Sequence, residues 1–135
     1  MAGIKNLDKL LKGMNPKLAS GEFVFSTLPE IQFKRLEIDP LLVFREAEGI
    51  TVVIERKTAE RNSLPYSGIW KLITLTVHSD LSAVGFLARI TERLAEAEIS
   101  VNAVSAYYHD HLFVLMEKAD RAMEILKKLS ESRKS

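Results

Sequence analysis

An α+β fold, antiparallel sheets with helices on one face, is what this sequence predicts, on three observations. Short apolar runs such as "EFVFSTL", "ISVNAVSAYY" and "LFVLME" are bounded by polar turn residues and have strand length. "VGFLARITERLAEAE" and "DRAMEILKKL" instead space apolar residues three and four apart, as amphipathic helices do. In the second half these segments follow the order strand, helix, strand, strand, helix, which closes into one antiparallel sheet under two helices.

Taken in order, "NLDKLLKGM" places Leu7, Leu10, Leu11 and Met14 on one helical stripe, with Asn6 as N-cap and Gly13 and Pro16 ending the helix. "EFVFSTL" reads as a strand, and after a polar connection "LLVFREAEGITVVIE" reads as two strands turning at Glu48-Gly49. "RKTAERNSLPYSG" is polar, carries Pro65 and Gly68, and reads as the linker to the second half, with a boundary near Tyr66. Two modules are therefore expected, residues 1–66 and residues 67–135. In the second, "IWKLITLTVH" is a strand that turns Ile69, Ile73, Leu75 and Val77 toward the helices. Ser79 to Ser82 form a polar connection, and the helix after it has Val84, Leu87, Ala88, Thr91, Leu94 and Ala95 on its inner stripe. Two further strands meet at His109-Asp110-His111, and Ala122, Leu126 and Leu129 line the closing helix. This βαββα order is ferredoxin-like, and the first half reads as a shortened relative of it. Trp70 and Leu72 lie on the sheet's opposite face. The N-terminal half and a second copy of the chain are expected to cover that face or extend the sheet edge.

Composition removes several functional classes. The 135 residues carry a net charge of +1 spread over both halves, so no basic stripe is present to track a phosphate backbone and nucleic acid is not an expected partner. There are no cysteines, which excludes disulfide scaffolds, thiolate metal sites and cysteine nucleophiles. No apolar run approaches the ~20 residues of a membrane helix, and the charged N-terminal segment has no signal-peptide core. A cytoplasmic, membrane-free protein is expected.

The segment "VGFLARITERLAEAEIS" resembles the first helix and following turn of an ACT domain, with Gly85, Leu87, Ile90, Leu94 and Ile99 at matching positions. With "GEFVF", "FREAEGITVVI", "VHSDLSAVGFLARI" and "YYHDHLFV" in this order, nearly the whole chain resembles small freestanding tandem-ACT proteins described as aspartokinase-like. The resemblance implies tandem ferredoxin-like modules and binding of an amino acid for regulation. The chain departs from the ACT pattern in three places. Ser82 and Val84 stand where the motif has Asp and Pro, and Glu98 stands where Gly follows the helix, which forces a left-handed backbone there at roughly 1 kcal/mol.

The candidate ligand site is "HSDLSAVG", where a strand end enters a helix whose free N–H groups attract a carboxylate. Ser79, Asp80 and Ser82 can hydrogen-bond a ligand, or Asp80 or Ser82 can simply cap the helix. Val84 and Gly85 complete the loop, and Asn102 is a polar residue on an otherwise apolar strand. Amino acid or similar zwitterion is the expected ligand class, without a cofactor. A homodimer is expected, with an unidentified protein partner as the route for any output. The stretch "AYYHDHLFV" has three readings: a metal site of His78, His109 and His111, a catalytic His–Asp pair, or a hairpin turn. No nucleophile motif accompanies the pair, so the turn is the reading adopted, and no enzymatic activity is expected. The rival reading is a small metal-dependent enzyme using the three histidines; a third is a dimerisation module without ligand.

Overall fold

A computed structural model describes residues 3–131. The outer ends of the two expected modules, residues 1–2 and 132–135, lie outside them. The chain groups into two compact units: Met1–Ser20 with Lys71–Ser135, and Gly21–Trp70. The first twenty residues thus fall with the C-terminal segment, whereas the sequence reading drew one boundary near Tyr66.

The larger unit begins with α1 (Leu7–Gly13), where Asn6 accepts a hydrogen bond from the Lys9 amide at 3.0 Å and so satisfies one of the helix's orphan donors. Strand β1 (Pro16–Leu18) then pairs antiparallel with β5 (Trp70–Leu75), Pro16 opposite Leu75 and Leu18 opposite Ile73. Helix α4 (Phe86–Glu96) leads to β6 (Val101–Ser105), which pairs antiparallel with β7 (Asp110–Leu115). A short 3₁₀ turn precedes α5 (Ala119–Glu131). The strand order β1-β5-β7-β6 is that of a ferredoxin-like sheet extended at the β5 edge by the N-terminal segment. Ile73, Leu75, Leu112 and Val114 from the sheet share one core with Leu10, Leu11 and Met14 of the α1 region, Phe86, Ile90 and Leu94 of α4, and Ala122, Leu126 and Leu129 of α5. The alternation expected along β5 holds: Ile73, Leu75 and Val77 are buried, and Leu72, Thr74 and Thr76 half-buried.

Helix α4 ends as the missing glycine predicts. Glu98 sits at φ 59°, while the Ile99 amide reaches the Leu94 carbonyl at 3.0 Å and Ile99 is buried behind it, the hydrogen-bond pattern of a Schellman stop.

The smaller unit contains β2 (Phe23–Leu28), α2 (Glu30–Arg35), β3 (Leu42–Arg45), β4 (Ile50–Glu55) and α3 (Arg56–Arg61). Its strand order is β3-β4-β2, with both pairings antiparallel. The β3–β4 turn closes between Glu46 and Gly49. A Cβ on Gly49 would lie 3.2 Å from the Leu28 carbonyl oxygen, so close backbone approach favours glycine there. The core of this unit is small: Val24, Leu28, Ile50, Val52, Ile54, Ala59 and Leu64.

The structure corrects four local expectations. The polar connection and the linker each contain a helix, α2 and α3. Both are six residues long, and α2 buries none of its residues and α3 only Ala59, so neither has an apolar stripe to read. Strand β1 is three residues opening on a proline, too short for a pattern. On α4 the buried positions are Phe86, Ile90 and Leu94, while Val84 precedes the helix and is 84% exposed. The hairpin turn spans residues 106–109, closed by the Ala106 amide on the His109 carbonyl at 3.0 Å; Asp110 and His111 already belong to β7.

Candidate functional site

The loop from β5 to α4 is built by backbone contacts and one carboxylate. Ile4 forms a parallel bridge with Ser79: its amide donates to the His78 carbonyl at 2.8 Å, and its carbonyl accepts from the Asp80 amide at 3.0 Å. Gly3 makes this approach possible, since a Cβ there would lie 2.6 Å from the Asp80 nitrogen. The Ala83 amide closes a turn on the Asp80 carbonyl at 2.9 Å. Inside that turn, Asp80 Oδ1 accepts from the Ser82 amide at 2.8 Å and from the Ser82 hydroxyl. The Ser82 hydroxyl, then the Ser82 amide, and to a lesser degree the charge of Lys5 hold the Asp80 carboxyl below its ordinary pKa.

Neither Asp80 nor Ser82 caps α4. The N-cap is Gly85, left-handed at φ 88°, and among the described residues no side-chain cap hydrogen bond forms there. A Cβ at Gly85 would meet only Leu7 Cδ2 at 3.9 Å, so backbone conformation and not space asks for glycine. Beside this open helix start lies a cavity of about 120 Å³, lined by Ser79, Asp80, Leu81, Ala83, Gly85, the α4 residues Phe86, Leu87 and Ala88, and by Ser105 and Asp110.

Of the residues singled out in the sequence, Ser79, Asp80 and Gly85 line this cavity. Ser82 acts on it through Asp80, Val84 points to solvent, and Asn102 is exposed on β6 opposite Phe113; none of these three lines it. Sequence reasoning missed Ser105 and Asp110, which the β6–β7 hairpin delivers from the far side. Asp110 is 6% exposed; its Oδ2 accepts from Ser79 Oγ at 3.0 Å and its Oδ1 from Ser105 Oγ at 2.7 Å. Period two contained the signal, because Asp110 shares its parity with the buried Leu112 and Val114.

The histidines do other things. His111 shares a 2.9 Å hydrogen bond between its Nδ1 and Thr74 Oγ1, and burial, then the neighbouring His109, lowers its pKa. The His78 ring lies 5.4 Å from Tyr108, and the His109 and His111 rings are 6.3 Å apart. Among the described residues no group of three or more His, Asp or Glu side chains is placed to hold a metal ion, nor is any helix long and apolar enough to cross a membrane.

Family models then decide the ancestry. One described as an ACT domain matches residues 2–71, and a second matches residues 70–128. The chain belongs to the ACT-domain family. This ACT-domain protein is 43% identical to a Vibrio cholerae protein described as of unknown function and a possible transport protein. That likeness covers 96% of this chain and 99% of the other, with a TM-score of 0.84. The ligand-free regulatory subunit of aspartate kinase from Thermus thermophilus shares the fold at a TM-score of 0.65 and 9% identity, over 85% of this chain and 97% of that one. A structure of aspartokinase alpha and beta subunits does so at 0.64 and 12% identity, over 84% and 95%. No curated protein matches the chain. Family and fold together support a regulatory, ligand-binding role.

Proposed function

We propose that this ACT-domain protein is a non-catalytic, cytoplasmic sensor of an amino acid or similar small zwitterion, held where the 79–85 loop enters α4. The supporting observation is the cavity at a helix start that no side chain caps. Unclaimed amides and the positive end of the dipole receive a carboxylate there. Asp80 and Asp110 put negative charge on the same cavity, and no Lys or Arg lines it, so a molecule carrying both charges fits better than a simple anion. Ser79, Asp80 and Gly85 contact the ligand in this reading, and Ser82 positions Asp80.

The protein acts as a homodimer in this proposal, through β6. That strand ends the sheet of its unit, and residues 99–108 carry no charge and no proline. An edge without those protections is one that a second strand covers. Binding then works by linkage: a ligand that prefers one arrangement of the subunits shifts the population toward it, and a protein partner reads the shift. The two sequence modules, residues 1–66 and 67–135, are the ancestral repeats in this view, with residues 3–20 lent to the second. Calorimetric titration of each amino acid into the purified protein tests the reading. Heat from at least one, lost in Gly85→Ala, is expected; a folded protein silent toward all of them removes the proposal.

A further inference from the structure

We infer that Asp110, steadied by Ser79 and Ser105, receives the ligand's protonated amine and makes the site selective for small α-amino acids over amine-free acids. The inference rests on the ligand-binding reading above and goes beyond it by naming the selecting group and the size of the ligand.

Asp110 is the one carboxylate among the buried polar side chains, the others being Ser26, Ser79 and Ser130. It ends a row whose next members, Leu112 and Val114, are wholly buried. A carboxylate in such a place is costly unless a positive charge answers it, yet among the described residues no ion pair reaches it. Its partners are two neutral hydroxyls, one on each oxygen. Each serine has spent its single proton on Asp110, so acceptor capacity remains on both carboxylate oxygens and on the serine oxygens. That leaves spare acceptor capacity on the wall of a cavity, and no ion pair on Asp110 among the described residues.

A primary ammonium supplies three N–H donors and one positive charge, which matches that capacity. A divalent cation is answered less well: among the described residues no group of three or more His, Asp or Glu side chains is placed to hold one. With the amine on Asp110, the carboxylate of the same molecule turns to the start of α4. The volume limits what is left. An engineered cavity of roughly 150 Å³ holds benzene, and this one, about 120 Å³ and partly open to solvent, has room for a small amino acid such as alanine.

Calorimetry on the full chain tests this with alanine, propionate, ethylamine and N-acetylalanine. Alanine is expected to bind at least about tenfold more tightly than propionate and N-acetylalanine, since a site built for a donor rejects analogues lacking it. Asp110→Asn, nearly isosteric, is expected to erase most of that preference. Ser105→Ala, which leaves the carboxylate in place, serves if Asp110→Asn misfolds by circular dichroism, and is expected to reduce the preference. Propionate binding as tightly as alanine overturns the role of Asp110 while leaving a carboxylate-binding site intact, as does a preference unchanged in either folded variant. Magnesium binding in place of alanine overturns it too. Silence toward every amino acid removes the binding reading itself, and this inference with it.

Discussion

With α1 and β1 set aside, the two units share one plan and differ in what lies at the start of the first helix. Each runs strand, helix, strand, strand, helix, with strand orders β3-β4-β2 and β6-β7-β5. In the smaller unit only Pro29 separates the first strand from its helix, so the chain turns at once and nothing accumulates beside the helix start. In the larger, residues 76–85 intervene, and that loop makes the cavity. The helices differ in step: α2 and α3 have six residues each, α4 eleven and α5 thirteen. The longer helices bury more: α4 three residues and α5 six, against none for α2 and one for α3. The cavity beside a helix start goes with the longer connection; the smaller unit has a cavity of about 780 Å³ elsewhere, between the 37–41 segment and the start and end of α3.

Core truncation tests that contrast with the largest effect. Leu94→Ala in the larger core and Leu64→Ala in the smaller are each expected to cost about 2–5 kcal/mol, with Leu94, wholly buried among helix and sheet neighbours, toward the upper end. Urea titration of both variants measures the difference; equal costs would mean that the smaller core is as well packed as the larger. Next comes Gly3→Ala, whose Cβ would collide with the loop backbone. It is expected to cost about 1–3 kcal/mol and to weaken ligand binding by calorimetry, while Leu64→Ala leaves binding alone.

The helix stops allow a gentler comparison. Ser63 after α3 sits at φ 54° and Glu98 after α4 at φ 59°, and both are followed by a buried aliphatic residue whose amide returns to the helix. Glycine at either position removes the left-handed strain, so Ser63→Gly and Glu98→Gly are each expected to stabilise by about 1 kcal/mol, read as a rise in Tm. The smallest effect is one of pH. The folded chain holds the His111 pKa below its ordinary value, first through burial and then through His109. Unfolded, it takes a proton near pH 6.5. Its contribution to stability is therefore intact above that value and declines as the pH falls from there toward the lower folded pKa. His111→Gln is expected to flatten the stability profile in this window, checked by denaturation at a series of pH values.

Much of this was legible in the residues. Asn6 announced a cap, and Glu98 announced a strained helix stop because a glycine was missing where the backbone turns left-handed. The larger unit's strands and helices were readable because each buries one face and shows its period. Helices α2 and α3 were not, since a six-residue helix that buries at most one alanine leaves no periodic trace. The site divided in the same way. Ser79, Asp80 and Gly85 are contiguous and stand out as a loop, but Asp110 lies 31 residues beyond Ser79 and reaches it only through the fold. Aspartate favours turns, which made the stretch read as one, when alternation with Leu112 and Val114 placed it inward.

Ser130 near the end of α5 donates to the Lys12 carbonyl at the end of α1. During synthesis, residues 21–70 can form the β2–β4 and β3–β4 pairings while residues 71–131 are still inside the ribosome. The α1 segment, made before residues 21–70, must wait, its apolar stripe of Leu10, Leu11 and Met14 unsatisfied, for β5, α4 and α5, made later. A chain stopped before α5 would leave part of that greasy stripe uncovered, which makes such a stop a route to aggregation.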